Sequence, residues 1–169
     1  ANEIVELALG DYTSCALLGS GSTYCWGSNL RGQVGAHSSA PDFATATQVM
    51  RCDGTGGCPA LPGAVGLEAG RDTFCVWRGD EFVPSQRLVC WGDSTNGQTG
   101  STQVQPYFDS GTYNTTPGFN RTITGVQMGP TWTLLRDSGG LPLYAAGYRV
   151  DGVDALNCNT NLRGPDVCD

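Results

Sequence analysis

Residues 24–35 read YCWGSNLRGQVG, and residues 89–100 read VCWGDSTNGQTG. Both stretches carry Cys-Trp-Gly, followed at the same offset by Gly-Gln-x-Gly. The copies align on a glycine that precedes an apolar strand, and these glycines are 60 and 59 residues apart: Gly10, Gly70 and Gly129. A fixed period of this length is typical of a repeat architecture, so the sequence predicts three units, of which the third is degenerate.

Each copy predicts two strands that are joined by a turn. The strand pairs are SCALL (14–18) with STYCW (22–26), TFCVW (73–77) with RLVCW (87–91), and TWTLLR (131–136) with LPLYAA (141–146). Glycine-rich or polar turns between apolar and β-branched runs indicate β-hairpins. Because no stretch keeps a helical period, the sequence predicts an all-β fold.

The third copy indicates how the eight cysteines pair. Its counterparts of the two hairpin cysteines are Leu134 and Ala145, so both cysteines are absent together, as expected of a bonded pair. The predicted disulfides are Cys15–Cys25 and Cys75–Cys90 across the hairpins, then Cys52–Cys58 and Cys158–Cys168 around short loops. Zinc would favour Cys-x2-4-Cys pairs and histidines, which the spacings here do not offer. Four disulfides indicate an oxidising compartment.

Composition narrows the classes of partner. The chain has 169 residues, sufficient for one domain with a hydrophobic core, and its sixteen acidic and nine basic residues give a net charge of −7. Nucleic acids and anionic membranes require basic surfaces, so neither is an expected partner. No apolar run approaches the length that spans a bilayer. The opening ANEIVEL fits a mature start after removal of a signal peptide.

The sequence offers few groups that could perform catalysis. The only histidine, His37, lies in a polar loop, and the cysteines are assigned to disulfides. The acidic pairs Asp80/Glu81 and Asp151/Asp154 lie in polar turns, and no turn carries the ligand series of a calcium loop. We therefore predict no catalytic residue, no cofactor and no metal site.

Binding is more consistent with the long segments 36–62, 78–87 and 101–122, because long loops on a rigid β scaffold commonly carry recognition. Their aromatic residues are the predicted binding residues: Phe43, Phe82, Tyr107, Phe108, Tyr113 and Phe119. The alternative is that several of these rings pack back onto the sheets. Asn114 and Asn120 begin N-glycosylation sequons, which would be used in a eukaryotic secreted protein.

These units resemble the repeats of the regulator of chromosome condensation family. There a glycine precedes a His-Thr/Ser-x-Ala-Leu strand, and a turn leads to Tyr-x-Trp-Gly-x-Asn and Gly-Gln-Leu-Gly. Here the first copy reads GDYTSCAL and then TYCWGSNLRGQVG, and the second reads GRDTFCVW and then VCWGDSTNGQTG. The strand histidine of the family is replaced by Thr13, Thr73 and Trp132, and the third copy lacks Gly-Gln-x-Gly.

The resemblance implies a partial β-propeller of three blades in one domain spanning 1–169. The expected blade units are approximately 3–61, 62–121 and 122–155, and a C-terminal disulfide loop follows at 156–169. Propellers of this family usually close a seven-bladed ring. Three units therefore indicate a fragment of a longer chain, an open arc, or a subunit that is completed by another copy.

The predicted function is a non-catalytic, secreted or cell-surface module for protein recognition or scaffolding. Secreted members of this family with cysteine-bearing repeats bind proteins through loops on one propeller face. The alternatives are a structural subunit that assembles through its open blade edges into an oligomer or filament, a secreted enzyme inhibitor, and a lectin-like binder. The expected partners are a protein, further copies of the chain or a glycan.

Overall fold

The computed structural model describes residues 2–51, 57–79, 81–82, 87–99, 122–138 and 142–147. These residues form ten β-strands and no helix. The strands are β1 (Ile4–Leu9), β2 (Thr13–Leu18), β3 (Thr23–Ser28), β4 (Asp42–Gln48), β5 (Ala64–Ala69), β6 (Thr73–Arg78), β7 (Leu88–Gly92), β8 (Ile123–Met128), β9 (Trp132–Asp137) and β10 (Pro142–Gly147). Accordingly, the described residues contain no helical segment that could cross a membrane.

The strands form three antiparallel sheets, one for each copy of the repeat. Unit 1 has the order β1-β2-β3-β4, unit 2 the order β5-β6-β7, and unit 3 the order β8-β9-β10. The second and third strands of each unit are the hairpins that the sequence predicts. The all-β fold class with antiparallel hairpins is confirmed.

The repeat is preserved in the register as well as in the strand order. The first strand of each unit pairs with the second, and its register shifts once near its start: between Ile4 and Glu6, between Ala64 and Gly66, and between Ile123 and Gly125. A shift of this kind is the mark of a β-bulge, which bends the strand and increases its twist. The three units therefore share one backbone design.

Two predicted disulfides join directly opposed residues of neighbouring strands. Cys15 faces Cys25 and Cys75 faces Cys90, with 4.1 Å between the Cα atoms of each pair. In unit 3 the same positions hold Leu134 opposite Ala145. The pairing inferred from the joint absence of two cysteines is thus confirmed for both hairpins.

The hydrophobic core lies in the seams between consecutive units rather than inside any one sheet. We call the face that packs on the preceding unit the leading face, and the opposite face, which packs on the following unit, the trailing face. In seam 1–2, the trailing face of unit 1 packs against the leading face of unit 2. Unit 1 contributes the strand residues Ala8, Cys15, Leu17 and Cys25 and the loop residues Val34, Val49 and Leu61. Unit 2 contributes Leu67, Phe74, Val76, Val89 and Trp91. Seam 2–3 joins Cys75, Leu88 and Cys90 to Ile123, Val126 and Leu135. Both disulfides are therefore buried between units.

The glycine of each Cys-Trp-Gly string is required by the backbone. Gly27 and Gly92 have φ values of 108° and 98°, which L side chains rarely adopt. A methyl group would also collide with the carbonyl oxygen of Tyr12 at Gly27 and with that of Asp72 at Gly92. The backbone therefore passes close to this glycine in both copies.

Strand β4 lies within the segment 36–62, which is predicted from the sequence to be a long loop. It pairs with β3, with a register shift between Cys25 and Gly27, and its outer side has no neighbour among the described strands. Its sequence DFATATQ contains alternating threonines, a residue type favoured in strands. The bulge and the exposed, small or polar side chains are devices that protect an edge strand from aggregation.

Several predicted residues lie outside the described part of the chain. They are Cys52, Cys158 and Cys168, the aromatic residues Tyr107, Phe108, Tyr113 and Phe119, the sequon asparagines Asn114 and Asn120, and the acidic residues Asp80, Asp151 and Asp154. Cys58, the expected partner of Cys52, is disulfide-bonded.

Candidate interaction surface

The two Gly-Gln-x-Gly turns are closed by their own glutamine side chains. Gln33 Oε1 accepts the backbone N–H of Arg31 at 2.6 Å, and Gln98 Oε1 accepts that of Asn96 at 2.8 Å. Both glutamines are buried. A buried amide that is hydrogen-bonded to backbone fixes the turn.

Each of these turns also binds the following unit. The backbone carbonyl of Gln33 accepts the indole N–H of Trp91 at 2.8 Å, and the carbonyl of Gln98 accepts the hydroxyl of Thr133 at 2.7 Å. Gln33 Nε2 further donates to Asp72 at 3.2 Å. The repeated motif therefore holds consecutive units together, which explains why it occurs at the same offset in two copies.

The loop after β3 is braced differently in the two copies. Asn29 Oδ1 accepts the backbone N–H of Val34, and its Nδ2 donates to the carbonyls of Ser38 and Ala40 at 2.9 Å each. In unit 2 the corresponding residue is Ser94, whose hydroxyl bonds that of Thr99. The single amide of Asn29 thus fixes twelve residues of loop, from Asn29 to Ala40, as a rigid platform.

The tight turns between the first and second strands meet at one end of seam 1–2. The backbone N–H of Asp11 donates to the carbonyl of Arg71, and Arg71 Nε donates to the Asp11 carboxylate, each at 2.8 Å. The hydrogen bond and the charge of Asp11 raise the pKa of Arg71, so its guanidinium stays charged. The backbone N–H of Ser28 donates to the carbonyl of Tyr12. Loops 10–12, 28–31 and 70–72 are therefore held side by side.

These three loops expose four large side chains, which we call the seam-end surface: Tyr12, Leu30, Arg31 and Arg71. Tyr12 is 75% exposed although its backbone is fixed on both sides. Tyrosine and arginine are the residue types most enriched at the energetic centres of protein interfaces. Because the backbone beneath them is ordered by hydrogen bonds, binding here would cost little loop entropy.

The two described members of the predicted aromatic set are partly buried against the sheets. Phe43 lies in β4 and packs on the core of seam 1–2. The ring of Phe82 lies against Gly63, and the guanidinium carbon of Arg78 is 3.4 Å from the ring centroid. Part of each ring therefore has a packing role, and their role in binding stays a prediction.

The seam-end surface was not anticipated from the sequence. The predicted binding residues are aromatic residues of long loops, whereas Tyr12 lies in a three-residue turn. A signal was available in the aligned copies: Tyr12 occupies the position of Asp72 in unit 2, so a large ring replaces a small acid at a turn. The sequence alone could not place Arg71 near Tyr12, because Arg71 belongs to the next unit.

Other candidate chemistry is sparse in the described residues. His37 is exposed in its loop and has a positive φ of 50°. Within the described ranges, no cluster of three or more His, Cys, Asp or Glu side chains could hold a metal ion.

Comparisons with known proteins define the class of repeat. A family model of the regulator of chromosome condensation (RCC1) repeat matches residues 4–33. Yeast RCC1 (Prp20), in a crystal structure with Kap60, is similar with a TM-score of 0.66 and 22% identity, over 89% of this chain and 30% of that one. Human WBSCR16 is similar with a TM-score of 0.63 and 18% identity, over 87% of this chain and 33% of that one. No curated protein matches the chain by sequence.

The resemblance to the RCC1 repeat is therefore confirmed. Residues 4–33 match the model of the RCC1 repeat, and the described units have the fold of an RCC1-like propeller, arranged as three antiparallel sheets. At these identities the likeness to the solved structures concerns the fold. The chain spans about a third of the length of yeast RCC1 and of human WBSCR16.

Proposed function

We propose that this chain is a non-catalytic, extracellular protein-recognition module that binds its partner through the seam-end surface. The observation that carries the proposal is the exposure of Tyr12 and Arg71 on backbone that is fixed by hydrogen bonds between two units. A rigid scaffold that presents aromatic and guanidinium groups is suited to binding with a small entropic cost.

The chemistry of the surface specifies the kind of partner. Arg31 and Arg71 are the cationic side chains of this surface on a chain of net charge −7, and the Arg71 guanidinium is paired with the Asp11 carboxylate at 2.8 Å. The ring of Tyr12 and the side chain of Leu30 supply apolar area beside them. The fitting partner is a protein segment that combines an apolar or aromatic side chain with a carboxylate.

The extracellular assignment is supported by the position of the disulfides. The disulfides Cys15–Cys25 and Cys75–Cys90 are buried in the seams, where a reductant could not reach them without opening the contact between units. Stable structural disulfides are characteristic of secreted proteins. Protein that is denatured without reductant should therefore take up no thiol label. Uptake of label by Cys15, Cys25, Cys75 or Cys90 would contradict the assignment.

Random peptides displayed on phage provide a probe for recognition. Peptides selected on the immobilised oxidised protein should bind Tyr12→Ser and Arg71→Ser at least about tenfold more weakly than the wild type. Val65→Ser is the matched control, because Val65 is an apolar residue with 60% exposure in unit 2 that lies outside the seam-end surface. Peptides that bind all four proteins equally, or a library that yields no binder, would contradict the proposal.

A further inference from the structure

The Gly-Gln-x-Gly turn of unit 2 follows an asparagine, and this pair is the single Asn-Gly step of the sequence. Asn96 precedes Gly97, whereas Arg31 precedes the glycine of the corresponding turn in unit 1. Asparagine is a thermolabile residue, and a following glycine makes it more reactive, because a residue without a side chain lets its backbone nitrogen approach the carboxamide. One of the two turns that hold consecutive units together therefore carries a labile group.

The reaction at such a step is deamidation through a cyclic imide. The backbone nitrogen of Gly97 loses its proton and attacks Cγ of Asn96, and the carboxamide nitrogen leaves as ammonia. Water then opens the imide at either of its two carbonyls, which gives aspartate or isoaspartate. The net change is the uptake of water and the release of ammonia, with no oxidation or reduction. The reaction therefore needs only water and a Gly97 nitrogen that is free to attack.

The folded turn withholds this nitrogen. The backbone N–H of Gly97 donates to the carbonyl of Ser94 at 2.9 Å, and Gly97 is buried with a φ of 73°. The backbone N–H of Asn96 donates to Gln98 Oε1 at 2.8 Å, so the peptide groups on both sides of the Asn96 side chain are fixed. An attack on Cγ has to break the bond to Ser94 and rotate the backbone at Asn96.

Seam 2–3 holds the turn in this conformation. Gln98 and Thr133 are each 1% exposed, and the carbonyl of Gln98 accepts the hydroxyl of Thr133 at 2.7 Å. The bond that fixes the backbone of Asn96 and the bond to unit 3 therefore belong to the same glutamine. When units 2 and 3 separate, Gln98 loses its buried surroundings and its partner in unit 3, so local opening of the seam also releases the turn.

We propose that Asn96 is a self-modification site: the closed seam 2–3 suppresses its deamidation, and the isoaspartate product prevents the seam from closing again. Isoaspartate adds a methylene group to the main chain before Gly97 and a negative charge to a chain of net charge −7. The longer main chain cannot keep the bonds to Ser94 and Gln98 together, so the carbonyl of Gln98 is no longer held against unit 3. The proposal goes beyond recognition, because it concerns a different turn and a reaction with water.

Mass spectrometry tests whether the fold suppresses the reaction. The folded, oxidised protein and a synthetic peptide with the sequence of residues 91–100 are incubated at mildly alkaline pH, and deamidation at Asn96 is followed in both. The rate in the folded protein should be at least about tenfold lower than in the peptide, because only the opened turn reacts. This comparison does not depend on how any variant folds. Equal rates overturn the proposal.

Three variants test the link to the seam. Thr133→Val removes the hydroxyl that bonds the Gln98 carbonyl, and Gln98→Ala removes the acceptor of the Asn96 N–H, so each should accelerate deamidation at least about fivefold. Gln33→Ala is the matched control, because it removes the same bond in the turn of unit 1, where Arg31 precedes the glycine. It should leave the rate at Asn96 unchanged. Equal rates in all three variants overturn the link to seam 2–3.

Amide hydrogen exchange tests the effect of the product. The isoaspartate-containing fraction is separated from the incubated wild-type protein by anion exchange, and exchange in β8 and β9 is compared with that of the untreated protein. Exchange in these strands should be faster in the isoaspartate-containing fraction, because unit 3 has lost its seam, whereas exchange in β2 and β3 should change less. Unchanged exchange in β8 and β9 overturns the claim that the product keeps the seam open.

Discussion

At the scale of the residue, Trp26 and Trp91 have the same position in the repeat but different contacts. Comparing them distinguishes the features that the repeat sequence specifies from the burial that a neighbouring unit adds. Both follow a disulfide cysteine at the end of the third strand and both precede a glycine with positive φ. Trp91 stacks on Phe74 with 6.1 Å between ring centroids and donates to Gln33, whereas Trp26 stays half-buried. The same side chain is therefore a core residue in one copy and a surface residue in the other.

This difference predicts unequal costs for the same substitution. Trp91→Phe removes the indole N–H and leaves the buried carbonyl of Gln33 without its donor, which should lower the free energy of unfolding by about 1–3 kcal/mol. Trp26→Phe, the matched control, should change it by less than about 1 kcal/mol in the monomer. Urea unfolding of both variants measures the two values. Equal losses would show that the bond from Trp91 to Gln33 does not stabilise seam 1–2.

At the scale of the element, the hairpins were predictable because each carries its signal within a few residues. The runs TSCALL and TFCVWR are apolar and β-branched, they are bounded by turns, and each holds a cysteine opposite its partner. The first strands were not predicted. IVELAL and AVGLEA mix acids and glycine into an apolar run, and they are strands because the second strand pairs with them and the seam covers one side.

The seam-end surface was less predictable than the hairpins, because its residues carry no signal within a few residues of one another. Phe43 belongs to an edge strand, since its segment pairs with β3, and the alternating threonines of that strand are a weaker signal than the apolar runs of the hairpins. Tyr12 and Arg71 are about one repeat apart in sequence and meet only because consecutive units pack at a fixed offset. Residues that contact across a seam require the geometry of the seam, which a single copy does not contain.

The register of unit 3 predicts that its missing disulfide can be restored. Leu134 faces Ala145 as Cys15 faces Cys25, so Leu134→Cys with Ala145→Cys should form a disulfide on oxidation. Closing this short loop should add about 2–3 kcal/mol to the stability of the unfolding unit, less any loss from the Leu134 side chain. Intact mass and thiol labelling report the bond, and thermal unfolding with and without reductant reports its effect. Each single variant is a control, and free thiols in the oxidised double variant would contradict the register.

At the scale of the whole molecule, the fold is a row of sheets whose stability resides in the contacts between neighbours. Each seam combines a buried apolar cluster, a disulfide on the trailing face and a hydrogen bond that the carbonyl of a Gly-Gln-x-Gly turn accepts from the next unit. Stability in such arrays is approximately the sum of unit and neighbour terms. A change in the contact between two units therefore changes the stability of the whole row. Ionisable groups near such a contact make that stability depend on pH.

Two neighbouring carboxyl groups make this stability depend on pH: Glu6, on the trailing face of unit 1, and Glu68, which is opposite Cys75 on the trailing face of unit 2. Glu6 accepts the backbone N–H of Leu67 at 2.8 Å, and Glu68 lies beside it in the same strand as Leu67. Burial raises the pKa of Glu68 above its ordinary value of about 4.3, and the charge of Glu6 raises it further. At neutral pH the folded protein must therefore keep a carboxylate where its charge is disfavoured.

The sign of the effect follows from proton binding. Between about pH 4.3 and the raised pKa, the folded state binds more protons at Glu68 than the unfolded state, so the free energy of unfolding increases as the pH falls through this window. Glu68→Gln should therefore be more stable than the wild type at pH 7, and the difference should shrink as the pH approaches about 4.3. Glu3→Gln removes an exposed carboxyl and controls for the change in net charge. Thermal unfolding of the three proteins across this range gives the two difference curves. A Glu68→Gln curve that stays flat, or that follows the Glu3→Gln curve, would show that the charge of Glu68 does not destabilise the folded protein.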